Sequence, residues 1–222
     1  MSNLVFAVIS PHPPILLPSV DSEGDRLQIK KTIESLENLG KRLKEAQSDS
    51  IIISAPHPDW GFEVPLYFLA KGFQGRIEKV LIGLESPRFY FEKGTKFPIS
   101  NFQFSNKSKI PNSKIALIAS GDLSHCLKED GPYGFNADGP KFDKALIEAL
   151  KKKDIETILK LDELYPDAGE CGLRSFCFIL GILEASEINW QPEILSYEGP
   201  FGVGYLVANF KCRRDKSLLH LR

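Results

Sequence analysis

Two histidines stand between prolines in nearly the same phrase, VISPHPP around His12 and IISAPHP around His57, and a third, His125, closes the phrase ASGDLSH. An imidazole ligates metals or carries protons near neutral pH. Proline stiffens the chain beside it by fixing its own φ and biasing its predecessor toward extended backbone. Each phrase follows a short apolar run rich in β-branched residues, so three of the four histidines stand just past the end of an expected buried strand. Parallel strands of an open α/β sheet deliver their carboxyl ends to one edge, where ligands bind, and the three imidazoles are expected to converge there. His220, in the basic stretch CRRDKSLLHLR, reads as a solvated residue.

Two imidazoles alone hold a metal weakly, and a carboxylate is the common third member of a ligand face that leaves positions open. Glu170, in YPDAGECGLRSF at the start of an apolar helix, either completes such a face or complements the helix dipole. Cys171 beside it is a competing ligand, and a thiolate suits zinc or copper better than iron.

The elements that must position these residues are legible as runs. LVFAVIS, SIIISA, KVLIGLE and KIALIAS are short, continuous and apolar, as strands buried on both faces are. Between the first two, Ile29, Ile33, Leu36 and Leu43 recur at helical spacing, which predicts a crossover helix and a βαβ unit. Further helices are expected at PKFDKALIEALKKK, DIETILKLDEL and CGLRSFCFILGILEA. EILSYEG and GVGYLVANFKC, joined by GPFG, predict a C-terminal hairpin. The polar segment EKGTKFPISNFQFSNKSKIPNSK reads as a loop. The expected fold is a single-domain α/β/α sandwich with a mixed, largely parallel sheet, spanning residues 1–222 with a peripheral tail at 213–222.

At 222 residues and 42% hydrophobic content the chain can bury a full core. The 28 basic and 29 acidic residues nearly cancel, which argues against a nucleic-acid partner. No apolar stretch reaches the roughly 18–20 residues of a membrane span, and the start MSNLVFAVIS lacks the marks of a secretory signal, so a cytoplasmic location is expected. Cys126, Cys171, Cys177 and Cys212 form no C-x-x-C pair and are expected as reduced thiols.

SPHPP, SAPHP, ASGDLSH, AGECGLRS and SYEGPFGVGY, in that order, resemble the catalytic domain of class III (LigB-type) extradiol ring-cleavage dioxygenases, closest to the Memo-like branch of the AmmeMemoRadiSam system. The resemblance implies a single Fe(II) ion held by His12, His57 and Glu170, with His125 as acid and base and Asp122 either orienting that imidazole or capping the turn. Zinc or copper is the alternative metal. It implies a small catechol-like substrate and dioxygen as reactants, with Trp60, Phe62, Tyr197 and Phe201 as candidate apolar walls. Partner proteins of the AmmeMemoRadiSam system and a homo-oligomer are left open. Two departures matter. PDWGFEVPLYF is shorter than the segment that follows the second histidine in ring-cleaving relatives, so a substrate-covering loop is expected to be trimmed. Memo-type relatives use a cysteine near the glutamate position, and this chain carries both Glu170 and Cys171. A Memo-like metal-binding or redox protein without ring cleavage is therefore the alternative function.

Overall fold

A computed structural model of the chain describes residues 4–99, 113–186 and 188–213. In chain order it forms β1 (Leu4–Ser10), a 3-10 turn (Pro14–Leu16), α1 (Glu23–Gln28), α2 (Lys30–Ala46), β2 (Ser50–Ala55), α3 (Trp60–Leu69), β3 (Arg76–Leu81) and α4 (Pro87–Thr95). Then follow β4 (Ile115–Ser120), α5 (Asp138–Lys152), the single turns α6 (Ile155–Ile158) and α7 (Leu161–Leu164), α8 (Leu173–Ala185), β5 (Asn189–Glu198) and β6 (Tyr205–Arg213). Six strands make one sheet in the order β3-β2-β4-β1-β6-β5. The first four are parallel, and β6 runs antiparallel to both β1 and β5. This is the expected α/β architecture: one mixed, largely parallel sheet flanked by helices.

Alternate residues of the central strands feed two cores. Ala7, Ile9 and Leu117 pack with Leu146, Phe176 and Leu180 under α5 and α8. Phe6, Val8 and Ile118 pack with Leu36, Leu39, Leu43 and Phe62 under α2 and α3. The α2 stripe of Ile33, Leu36, Leu39 and Leu43 is buried throughout, each such side chain adding about 1.5–3 kcal/mol. Among the described residues no helix is long and apolar enough to cross a membrane. All four cysteines are free.

Several elements differ from expectation. PDWGFEVPLYF, expected to carry a shortened loop, is mostly helix α3, started by Asp59, whose side chain accepts the Trp60 N–H. Helix α4 also went unforeseen; Ser86 caps it and Pro87 occupies its first position. DIETILKLDEL breaks into α6 and α7, which lets Ile158, Leu159 and Leu161 all reach the core. KVLIGLE pairs only as far as Leu81, and β3 begins earlier, at Arg76. Within the expected loop, residues 100–112 lie outside the described residues, as do His220 and the tail after residue 213.

Candidate metal centre

β1, β4 and β2 are neighbours in the sheet and all parallel, so the chain leaves their carboxyl ends on one edge. His12 follows β1, His57 follows β2, and His125 follows β4 through the bend Gly121–Ser124. The His12 and His57 rings meet edge to face, centroids 5.2 Å apart. His12 is 4% exposed, whereas His57 is open to solvent.

A short relay fixes how His12 presents itself. Pro65 inside α3 has no N–H to give the carbonyl four residues back, that of Gly61. The Gly61 carbonyl instead accepts the Ser120 hydroxyl at 2.5 Å. With its hydrogen committed there, Ser120 Oγ accepts from His12 Nδ1 at 2.9 Å. Nδ1 therefore carries the ring proton and Nε2 keeps its lone pair, as a metal-ligating imidazole requires. Burial, reinforced by the neighbouring His57, pushes the His12 pKa down to about 3, so the ring is neutral at pH 7.

The third member of the face is Cys171. Its Sγ lies 3.5 Å from His12 Nε2, and the possible ligand atoms of His12, His57 and Cys171 all fall within 4.8 Å of one another. Glu170, expected on this face, is turned away. Its Oε2 accepts the Leu173 N–H at 2.6 Å, satisfying a free donor at the α8 start, and its Oε1 pairs with Arg174 at 3.1 Å. The physical reason is a competition for one buried carboxylate, which a helix terminus and a guanidinium both claim. The Glu-x-x-x-Arg spacing was the sequence signal for that role.

Two glycines bring Cys171 against the β4 bend. A Cβ on Gly121 would collide with Gly172 Cα, so the two backbones touch as only glycines permit. Gly172 N–H donates to the Asp122 carbonyl at 3.0 Å, and Asp122 N–H reaches Cys171 Sγ at 3.4 Å. Gly121→Ala is therefore expected to destabilise the fold by about 1–3 kcal/mol or more. It should also weaken metal binding, which chelator competition beside a denaturant melt would detect; unchanged values in both would contradict the close approach.

Asp122 ties the cluster together. Its Oδ1 accepts the His12 N–H at 3.0 Å and its Oδ2 lies 3.7 Å from His12 Nε2. Burial raises its pKa to about 6. It thus anchors the His12 segment, whereas the sequence suggested His125 or a turn as its object. Burial lowers the His125 pKa and raises that of the Cys171 thiol well above the ordinary range. The bend carrying His125 is fastened from below. Asp143 Oδ1 accepts the Ser124 N–H at 2.8 Å, Ser124 Oγ donates to the Ala168 carbonyl, and His125 N–H donates to the Gly169 carbonyl.

A cavity of about 430 Å³ opens above the cluster, lined by His12, His57, Asp122 and His125. Its walls are Trp60, Phe201, Tyr205, Val203, Ile15 and three prolines. Of the aromatic candidates, Trp60 and Phe201 face it, Phe62 is core, and Tyr197 donates instead to Asp143 Oδ2 at 2.5 Å. Ser120, Tyr205 and Pro132 were missed, although Ser120 lay in a quoted phrase at a strand end. A larger cavity of about 690 Å³ lies at the opposite edge of the sheet, among Lys44, Lys71 and Gly75, and its lining contains no histidine or cysteine.

The α/β/α sandwich thus gathers two imidazoles and a thiol at the carboxyl edge of its parallel strands, close enough for their donor atoms to share one metal ion. Residues 57–208 match the family described as the catalytic LigB subunit of aromatic ring-opening dioxygenase, and the chain belongs to that family. Such proteins are typically metal-dependent and are named for opening aromatic rings with dioxygen. His12 lies before the matched segment, and only the fold brings it in. The chain is 32% identical to Protein CA_C1420 of Clostridium acetobutylicum, over 88% of this chain and 55% of that protein, so it spans about half the length of this curated relative. The fold is similar to the crystal structure of the uncharacterized protein JW3007 from Escherichia coli K12, with a TM-score of 0.58, 15% identity, and coverage of 92% of this chain and 99% of that one.

Proposed function

We propose that the chain is a Memo-like metal-binding redox protein within the LigB family, in which His12, His57 and Cys171 would hold a soft or borderline metal ion. One observation carries the reading: Cys171 shares a 4.8 Å neighbourhood with His12 and His57, while the Glu170 carboxylate is engaged by Leu173 and Arg174. The donor set fits a metal, because His12 Nε2 is a fixed lone pair and a thiolate and two imidazoles suit copper or zinc better than a hard cation. A bound metal would supply Lewis acidity and, for copper or iron, one-electron exchange. The chain's own residues do the rest. Ser120 keeps His12 in the ligating tautomer, and Cys171 must release its thiol proton to bind, which favours loading at higher pH. The prolines and Trp60 line the cavity, and neutral His125 can accept or return a proton there. Partner proteins of the AmmeMemoRadiSam system belong to this reading as they do to the resemblance.

Extradiol cleavage by a class III dioxygenase with Fe(II) is the second reading. It is favoured by the apolar walls, which suit a planar ring, and by His125 beside them. Anaerobic reconstitution with Fe(II), followed by a panel of catechols in an oxygen-electrode cell, separates the two. Metal uptake without catechol-dependent oxygen consumption is expected. Oxygen uptake coupled to a yellow ring-opened product would select the dioxygenase.

A further inference from the structure

Tyr205 carries a polar atom that the fold leaves unused. It is the first residue of β6, and because β6 runs antiparallel to β1, its amino end arrives at the edge where the carboxyl ends of β1 and β4 gather the histidines. Two backbone hydrogen bonds fasten it to the bend after β4: Leu123 N–H donates to the Gly204 carbonyl at 2.9 Å, and Gly204 N–H donates to the Ser124 carbonyl at 2.8 Å. The Tyr205 ring packs into the core under α2 and α3, and the residue is 2% exposed. A buried tyrosine hydroxyl ordinarily finds a partner, because leaving one unpaired costs stability. That of Tyr205 hydrogen-bonds to none of the described residues. Its oxygen is not sealed in by protein, so it opens to the cavity that the residue lines. We propose that the Tyr205 hydroxyl is a ligand-binding donor of this cavity, and that the ligand is a small uncharged ring bearing an oxygen acceptor.

The charge of the lining sets the class of ligand. Among the described residues no lysine or arginine lines the cavity, and its one carboxyl group, that of Asp122, is buried. Lys128, whose loop packs against Gly202, donates instead to the Pro200 carbonyl. A carboxylate on the ring, away from the metal, would meet Trp60, Phe201 and Ile15 with nothing to pair with it. An uncharged ring suits those walls, and about 430 Å³ accommodates a molecule of one ring. Burial, followed by the Asp122 carboxyl, pushes the Tyr205 pKa well up, so the phenol keeps its proton and donates throughout the physiological range. Tyr205 therefore offers its hydrogen to an acceptor on the ligand, and the apolar walls refuse an anion.

The inference deepens the proposed function and rests on it, since a bound metal would share the ligand with Tyr205. The intact chain is loaded anaerobically with Co²⁺, and its visible spectrum is titrated separately with catechol, with protocatechuate, which adds a ring carboxylate, and with azide. Catechol is expected to bind at least about tenfold more tightly than protocatechuate, because burying an unpaired carboxylate is costly. Tyr205→Phe should weaken catechol about tenfold, the usual scale for one lost hydrogen bond. The same variant should keep its Co²⁺ content and its azide affinity, since azide reaches the metal alone. Equal affinity for the two rings in the wild type, no binding of either, or an unchanged catechol affinity in Tyr205→Phe would overturn the inference and leave the proposed function standing. Loss of azide binding in Tyr205→Phe would also overturn it, marking the residue as structural. Failure of the wild type to take up Co²⁺ would overturn both.

Discussion

Cys171→Ala is expected to lower the affinity for Zn²⁺ or Cu(I) by at least about 100-fold, whereas Glu170→Gln should leave it nearly unchanged. Loss of an outer-shell partner alone typically costs 10–100-fold, and Cys171 would be a direct ligand. The two substitutions should trade places in a stability measurement. Glu170 is almost fully buried and satisfies both the Leu173 N–H and Arg174. Its amide analogue weakens charge-assisted bonds at the α8 start, for a loss of about 1–3 kcal/mol. Chelator competition and urea melts on the same samples give both readouts. Metal loss in Glu170→Gln with retention in Cys171→Ala would restore the carboxylate face.

Asp143→Asn is expected to make the protein more stable than the wild type at pH 8 and to lose that advantage near pH 4. Burial lifts the Asp143 carboxyl from its ordinary 3.8 to about 7, against the opposing hydrogen bonds from Tyr197 and Ser124. Below the unfolded value both states hold the proton, and its contribution is fully present. As pH rises from about 4 to about 7 the unfolded chain releases the proton first, so stability falls by about 1.4 kcal/mol per pH unit, or about 4 kcal/mol in all. Asparagine does not titrate, and its carbonyl can still accept the Ser124 N–H. Paired melts across this window should show a difference that grows with pH and levels off above about 7. A constant difference would mean that Asp143 stays ionised in the fold.

The three histidines were legible because each follows a strand whose β-branched run has no other reading, and parallel strands share an edge by necessity. The choice between Glu170 and Cys171 was not legible from local sequence. Neighbours at a helix start point about 100° apart, and the phase is set by the backbone on either side. Here Gly169 turns the chain with φ +64° and Gly172 packs against Gly121, contacts made across the fold. Helix α3 was hidden by Gly61 and Pro65, both poor helix formers. Pro65 stands where its missing N–H frees the Gly61 carbonyl for Ser120. That departure from local propensity serves the site, since it fixes the His12 tautomer.

The identity of the third ligand is tested most directly by X-ray absorption at the zinc edge on protein loaded with one equivalent. The expected spectrum contains one sulfur neighbour at about 2.3 Å beside the nitrogen shell. The sulfur signal should vanish in Cys171→Ser and persist in Glu170→Gln. A wild-type spectrum of nitrogen and oxygen neighbours alone, altered by Glu170→Gln and untouched by Cys171→Ser, would contradict the thiolate centre.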